Sequence, residues 1–186
     1  MDSLWASLRL VAATMLICVI GYSALIWLIG RATPYTADGW LITSGDGTVI
    51  GSEMIAQAFT SPRYFWPRPS AVDYNAAGAG GSNKSPTSPD LTARAADIVA
   101  AYGAHPENPL PAELAAASGA GLDPHITEAA ALYQAPRVAR ARNLELSDVE
   151  ALIRDRAFSP GAFLTPDRLV NVLQLNRALD RLADAN

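Results

Sequence analysis

Twenty consecutive residues near the start of the chain, Leu10 to Ile29, carry no charge. A helix of that length rises about 30 Å, the thickness of a bilayer's hydrocarbon core. Nothing comparable follows, so the sequence reads as a short tail (1–9), one transmembrane helix (10–29) and one domain (30–186). A cleaved signal peptide would have a shorter apolar core, about 7–15 residues, ending at a small-x-small site. Trp27-Leu28-Ile29-Gly30-Arg31 offers no such site. Trp5 and Trp27 sit near the two ends, where amphipathic rings favour the headgroup layer. Thr14, Cys18 and Gly21 fall at i, i+4 and i+7, a stripe of small side chains against which another transmembrane helix can pack in the lipid. Arg9 and Arg31 flank opposite ends, so basic residues do not set the orientation.

Setting aside Asp2, Arg9 and Arg31 leaves 12 basic against 17 acidic residues for the domain. A nucleic-acid binder usually needs a basic face, and this balance argues against one. The single cysteine, Cys18, lies in the apolar run, so the domain forms no internal disulfide. His105 and His125 are the only histidines, and no zinc-ligand spacing exists.

The domain is expected to be α+β, with an amino-terminal hairpin and a mainly helical carboxy-terminal part. Trp40-Leu41-Ile42-Thr43 and Thr48-Val49-Ile50 flank Asp46-Gly47, which can supply a turn with positive φ. Ser52 to Phe59 extends the strand or begins a short helix. Thr60 to Pro89 is long for a structureless loop, yet Tyr64-Phe65-Trp66-Pro67-Arg68-Pro69 and Tyr74 are too aromatic for a disordered linker. An ordered, functional loop is expected there. Asp90 is placed as the cap of a helix ending at Tyr102, and Thr127 as the cap of a second. Pro136 opens a third through Arg142. Ser147-Asp148-Val149-Glu150 reads as a capping box for a fourth. Asn171-x-x-Gln174 caps the last, with Val172, Leu175, Leu179 and Leu182 on one face; Thr165-Pro166 is a competing start.

Several motifs have bland readings that prevail. Gly78 to Ser85 nearly spells a phosphate-binding loop, but Asn83 stands where Gly must precede Lys84, and Pro86 follows closely. Ser118, Asp123 and His125 lie within eight consecutive residues, too close in sequence to converge as a triad, and Ser118 has no nucleophile elbow around it. Asp123 and Pro124 read instead as a helix cap and first turn. Arg137, Arg140 and Arg142 before a capped helix resemble a helix-turn-helix with phosphate contacts, but a solvated helix face explains them as well.

Six segments occur in order behind the anchor: Gly51-Ser52-Glu53-Met54-Ile55-Ala56-Gln57-Ala58-Phe59, Tyr64 to Ala71, Gly80-Gly81-Ser82-Asn83, Ser118 to Ile126, Arg137 to Arg142 and Val170-Asn171-Val172-Leu173. Together they resemble the C subunit of the Kdp-type potassium-transporting ATPase over essentially the whole chain. Lys84-Ser85-Pro86-Thr87-Ser88 departs from the usual Leu-Gly-Pro-Thr-Asn, Met54 and Ala56 stand for Leu and Gly, and Asn143 for Gly. The resemblance implies an accessory subunit without a catalytic site, needed for high-affinity ATP-driven potassium uptake. It implies a bacterial inner-membrane protein of single span, amino terminus cytoplasmic and domain extracytoplasmic. Its partners would be a channel-like potassium-translocating subunit, a P-type ATPase subunit and a small single-span subunit, which handle the potassium and the ATP. The family is assigned the role of catalytic chaperone, raising the ATP affinity of the ATPase subunit. Contact with the channel-like subunit is expected through Tyr64, Phe65, Trp66 and Arg68, because aromatics and Arg dominate interface hot spots, and through Ser82 and Asn83. The alternatives are a membrane-anchored extracytoplasmic hydrolase using Ser118 or His125, and a membrane-tethered nucleic-acid binder using the three arginines.

Overall fold

The computed structural model describes residues 2–161 and 167–184 and separates into two compact units, 1–41 and 42–186. The first unit is dominated by one helix of 31 residues, Asp2–Ala32, long and apolar enough to cross a membrane. It comprises α1 (Asp2–Thr14), a π-helical segment (Met15–Gly21) and α2 (Tyr22–Ala32). Residues 2–9, expected as a tail, are its first turns. The π segment begins after Thr14, whose hydroxyl donates to the carbonyls of Leu10 and Val11 at 2.9 Å. A stripe at i, i+4 and i+7 presumes 3.6-residue turns. Cys18 and Gly21 lie in the segment of wider i→i+5 turns, and Thr14 stands just before it. Pro34 starts a further turn of helix, α3 (Pro34–Ala37).

The second unit opens on the expected hairpin, β1 (Leu41–Thr43) with β2 (Val49–Ser52). Its turn closes as the Asp-Gly signal requires. The Thr48 amide donates to Asp46 Oδ1 at 3.0 Å, and Gly47 takes φ 86°. These bonds, with full exposure, hold the Asp46 carboxyl below the usual carboxylate range. After Ser52 the chain turns, rather than continuing the strand or starting a helix. No helix or strand then forms before α4 (Pro89–Tyr102). Ser88 stands at the cap position of α4 and Pro89 at its start, so Asp90 lies two residues further in than expected. A short turn, α5 (Ala112–Ala115), follows.

Residues 125–127, expected to lie just inside a helix, instead form β3 (His125–Thr127), antiparallel to β4 (Leu169–Asn171) with Ile126 opposite Val170. The cause is Ile126 and Val170, both fully buried β-branched residues facing the core from paired strands. Thr127 then caps α6 (Glu128–Arg142), accepting from the Ala130 amide at 3.1 Å. Pro136 does not open a separate helix; it lies inside α6. Asn143, which stands for the family's Gly, ends α6 in the left-handed conformation at φ 56° that Asn as well as Gly adopts. α7 (Leu146–Arg156) starts after Glu145, two residues ahead of the expected cap Ser147, which sits within its first turn. The Asn171 side chain caps α8 (Val172–Asp184), accepting from the Gln174 amide at 3.1 Å. The competing start at Thr165-Pro166 lies outside the described residues.

Helices α6, α7 and α8 and the β3–β4 pair enclose one core, in which Leu114, Ile126, Val138, Val149, Ile153, Val170, Leu175 and Leu179 are fully buried. One aromatic joins it from the loop, Phe65.

Candidate interaction site

The Tyr64-Phe65-Trp66 segment is fastened by two buried amides. Asn176, on α8, accepts the Phe65 N–H at 2.8 Å and donates to the Phe65 carbonyl at 3.0 Å. Gln134, on α6, does the same for Trp66, at 2.8 Å and 3.0 Å. Both amides are 1 % exposed. Two adjacent loop residues are thus each held as a strand partner would hold them, by side chains rather than by a ladder. This satisfies backbone groups that would otherwise be buried without partners.

Side chains alternate accordingly. Phe65 points inward at 0 % exposure. Tyr64 and Trp66 stay half-buried, each under an arginine. The Arg142 guanidinium lies 4.7 Å from the Tyr64 ring, and the Arg137 guanidinium 3.9 Å from the Trp66 ring. Arg137 also donates to the carbonyls of Pro62 and Tyr64 and to Gln134 Oε1. Arg142, with its side chain 2 % exposed, donates to the Arg63 carbonyl and to Asp180 Oδ1 at 2.6 Å. Trp66 Nε1 returns to the Ser61 carbonyl at 2.9 Å, and its ring meets Tyr102 edge-on.

This geometry corrects two expectations. Phe65 is a core residue, and its ring cannot be offered to a partner while the domain is folded. Arg137 and Arg142 are not a solvated face; they clamp the loop, and of the three arginines only Arg140 is exposed. Gln134, Asn176 and Asp180 escaped the sequence reading. The available signal was Asn176 itself, a polar side chain between Leu175 and Leu179 on the apolar face of the last helix.

Beyond Pro67 the loop carries an ion cluster. Arg68 Nη1 lies 3.2 Å from Asp123 Oδ2, and His125 Nδ1 lies 3.5 Å from Asp123 Oδ1. The His125 amide donates to the same Oδ1 at 3.0 Å. Asp123 therefore caps no helix; it joins the loop to the start of β3. Burial works against its ionisation, but the hydrogen bonds from the His125 ring and amide, with the charge of Arg68, outweigh it and hold the carboxyl below the usual range. Ser118 is 3 % exposed; its hydroxyl faces the Asp123 amide at 3.5 Å, and its own amide donates to the Pro69 carbonyl. The Tyr74 hydroxyl donates to the Arg68 carbonyl at 3.0 Å, and burial pushes it above the usual phenol value.

The Gly80-Gly81-Ser82-Asn83 segment lies against Gly119–Gly121. Gly80 donates to the Ala120 carbonyl at 2.9 Å. A Cβ on Gly81 would meet the Gly119 oxygen at 2.8 Å, and one on Gly121, at φ 67°, the Gly80 oxygen at 2.8 Å. Two backbones this close accept no side chain between them. Ser82 is half-buried and Asn83 exposed, in the left-handed conformation at φ 51°. Lys84 pairs with Asp90 in the first turn of α4, and this hydrogen bond lowers the Asp90 carboxyl below its usual range. The ammonium is thus taken up by a carboxylate rather than free to meet a phosphate. Among the described residues no group of acidic, His or Cys side chains could hold a metal ion.

A family model described as KdpC, the c chain of the K+-transporting ATPase, matches residues 4–181. The chain belongs to the KdpC family. A curated potassium-transporting ATPase KdpC subunit from Parvibaculum lavamentivorans is 69 % identical over 186 residues, all of both chains. Those of Methylococcus capsulatus and Janthinobacterium sp. are 49 % and 46 % identical, over 90 % and 94 % of this chain and 91 % and 96 % of theirs. As a KdpC subunit it is an accessory chain of the ATPase rather than the catalytic one, and the one helix among the described residues long and apolar enough to cross a membrane fits a single-pass membrane protein.

Proposed function

We propose that this KdpC chain is the membrane-anchored assembly subunit of a high-affinity, ATP-driven potassium uptake complex. Its amino terminus is cytoplasmic and its domain lies outside the cytoplasm, against the channel-like potassium-translocating subunit. The P-type ATPase subunit and the small single-span subunit complete the complex. ATP and potassium are handled by those partners. The observation that carries the reading is the clamped loop. Two amides and two arginines hold Tyr64 to Pro67 in one conformation, so the exposed edges of Tyr64, Trp66 and Arg68 and the neighbouring Ser82-Asn83 corner form a preorganised surface. Docking such a surface loses little conformational entropy.

A catalytic-chaperone role, raising the ATPase subunit's affinity for ATP, is compatible with this placement only through a shared conformational equilibrium. A domain across a ~30 Å hydrocarbon core cannot touch a nucleotide on the other side. Support of assembly and of external potassium entry is therefore the reading we prefer. A carboxy-terminal tag on the chain should be digested by protease added to spheroplasts, and the chain should co-purify with its partners from mild detergent. Arg68→Ala should weaken that association by about 2 kcal/mol, a typical hot-spot loss. A protected tag, or undiminished association of the Arg68 and Asn83 variants, would overturn the placement.

A further inference from the structure

Outside this surface, a cavity of about 380 Å³ opens on the other side of Trp66's neighbour Tyr102, walled by Tyr102, His105, Asn108, Tyr133, Arg137 and Arg140. No acidic residue lines it. Its two guanidiniums have no carboxylate partner among the described residues. Arg137 bonds only to neutral oxygens, and its Nε is buried without a hydrogen bond. Arg140, one turn further along α6, is exposed, and its side chain makes no hydrogen bond or ion pair among the described residues. The Tyr102 hydroxyl is likewise without a partner among them, whereas the Tyr133 hydroxyl reaches the Asn108 carbonyl at only 3.4 Å. Burial lowers the basicity of Arg137 and raises the Tyr102 phenol. Both shifts are those of donors kept from water, and an anion would reverse the first.

The geometry points to a binding site for a phosphate group, held by Arg140 and Arg137 with the Tyr102 hydroxyl. The donors come from the end of α4 and from α6, and the 103–108 turn walls the third side of the cavity. A carboxylate accepts in a single plane, whereas the oxygens of a phosphate are spread over a tetrahedron and suit donors that surround it. Guanidinium is the side chain best matched to phosphate. The site is a partly open cavity of about 380 Å³ rather than an extended groove, so it has room for a phosphate group and not for the length of a nucleic-acid backbone. That group can be presented by a lipid headgroup or be free in solution. The site is separate from the Arg68–Asp123 surface and does not depend on the docking reading.

The test uses the full chain and hydrogen exchange of the peptide covering residues 103–108. In neutral detergent, inorganic phosphate is titrated against chloride at constant ionic strength. In nanodiscs, phosphatidylcholine is compared with phosphatidylcholine containing phosphatidic acid. The expected result is a saturable slowing of exchange at least threefold, with binding weakened at least tenfold by Arg140→Gln and clearly weakened by Tyr102→Phe. The Arg140 side chain makes no hydrogen bond or ion pair among the described residues, and Tyr102→Phe keeps the ring against Trp66, so both variants should fold. Slowing by dissolved phosphate supports the site with a soluble source; slowing only with phosphatidic acid supports it with a lipid source. No slowing in either arm, or an Arg140→Gln chain that responds as the parent does, overturns it.

Discussion

Replacing Asn176 by Leu tests whether the loop is held by its amide clamp. The side chain is nearly isosteric, so packing volume is kept. What is lost is the pair of hydrogen bonds at 2.8 Å and 3.0 Å to the Phe65 N–H and carbonyl. Both groups sit beside a fully buried ring, so water cannot replace the amide without opening the core. Each buried group left without a partner costs about 1–3 kcal/mol. Leucine returns part of that as apolar burial, on the order of 1 kcal/mol. The net loss is about 1–5 kcal/mol, or on the order of 10 °C in Tm for a chain of this size. Urea unfolding of the full chain in neutral detergent measures it, and tryptic cleavage after the exposed Arg63 reports release of the loop. Gln134→Leu should act in the same direction, because it removes both bonds to the Trp66 backbone and an acceptor of Arg137. An Asn176→Leu chain within about 0.5 kcal/mol of the parent, with Arg63 still protected, would refute the clamp.

Phe65→Ala should cost about 3–5 kcal/mol, as for other buried Phe truncations, and any loss of association in that variant should track the unfolded fraction in a melt. Asp123→Asn should remove a contribution that depends on pH in one direction. Because the folded carboxyl titrates below its ordinary value, the contribution is full above about pH 5 and is lost as pH falls through and below about 4. The difference in urea midpoint between parent and variant should shrink over that range, and a difference that grows on acidification would contradict the ion cluster. Gly121→Ala should destabilise by more than about 1 kcal/mol, since φ 67° and the Gly80 oxygen 2.8 Å from the new Cβ both oppose it; an unchanged melt would mean the two loops separate readily. Lys84→Ala should leave ATPase turnover of the assembled complex nearly unaltered, since Lys84 is engaged by Asp90; loss of most turnover would overturn that.

The elements with local signals were legible in the sequence. The apolar run, the Asp-Gly hairpin, the Thr127 and Asn171 caps and the Asn143 stop each follow from chemistry within a few residues. Misreadings arose where partners are distant. Asp123 looks like a cap because Pro124 follows it, but the strand pairing of residues 125–127 with 169–171 is set by residues more than forty positions away. Pro136 looks like a helix start, yet at the ninth position of α6 the turn before it is already packed into the core through Ala131 and Ala135. Tertiary burial there outweighs the local preference. The candidate surface was half legible. The aromatic triplet signalled an ordered loop, but which ring turns inward depends on Gln134 and Asn176, which lie 68 and 111 residues away.

This accessory chain of the ATPase builds an elaborate polar construction around one irregular segment, and physical economy suggests why. A hydrophobic plug alone would hold Phe65 but would leave the backbone on either side free to shift register. Bidentate amides fix both the depth and the rotation of the segment, because each pairs one N–H and one carbonyl of a single residue. The arginines then cover the outward rings and close the ends. Such fastening does little for net stability, since each bond exchanges water for protein at about 1 kcal/mol, but it makes alternative positions costly. A surface whose shape must match a partner needs that property more than it needs extra stability. The same reasoning separates the two ends of the loop. The clamped aromatic end sets position, whereas Arg68, half-exposed and tied to the rest of the domain through one carboxylate, retains donors that a docking partner can use.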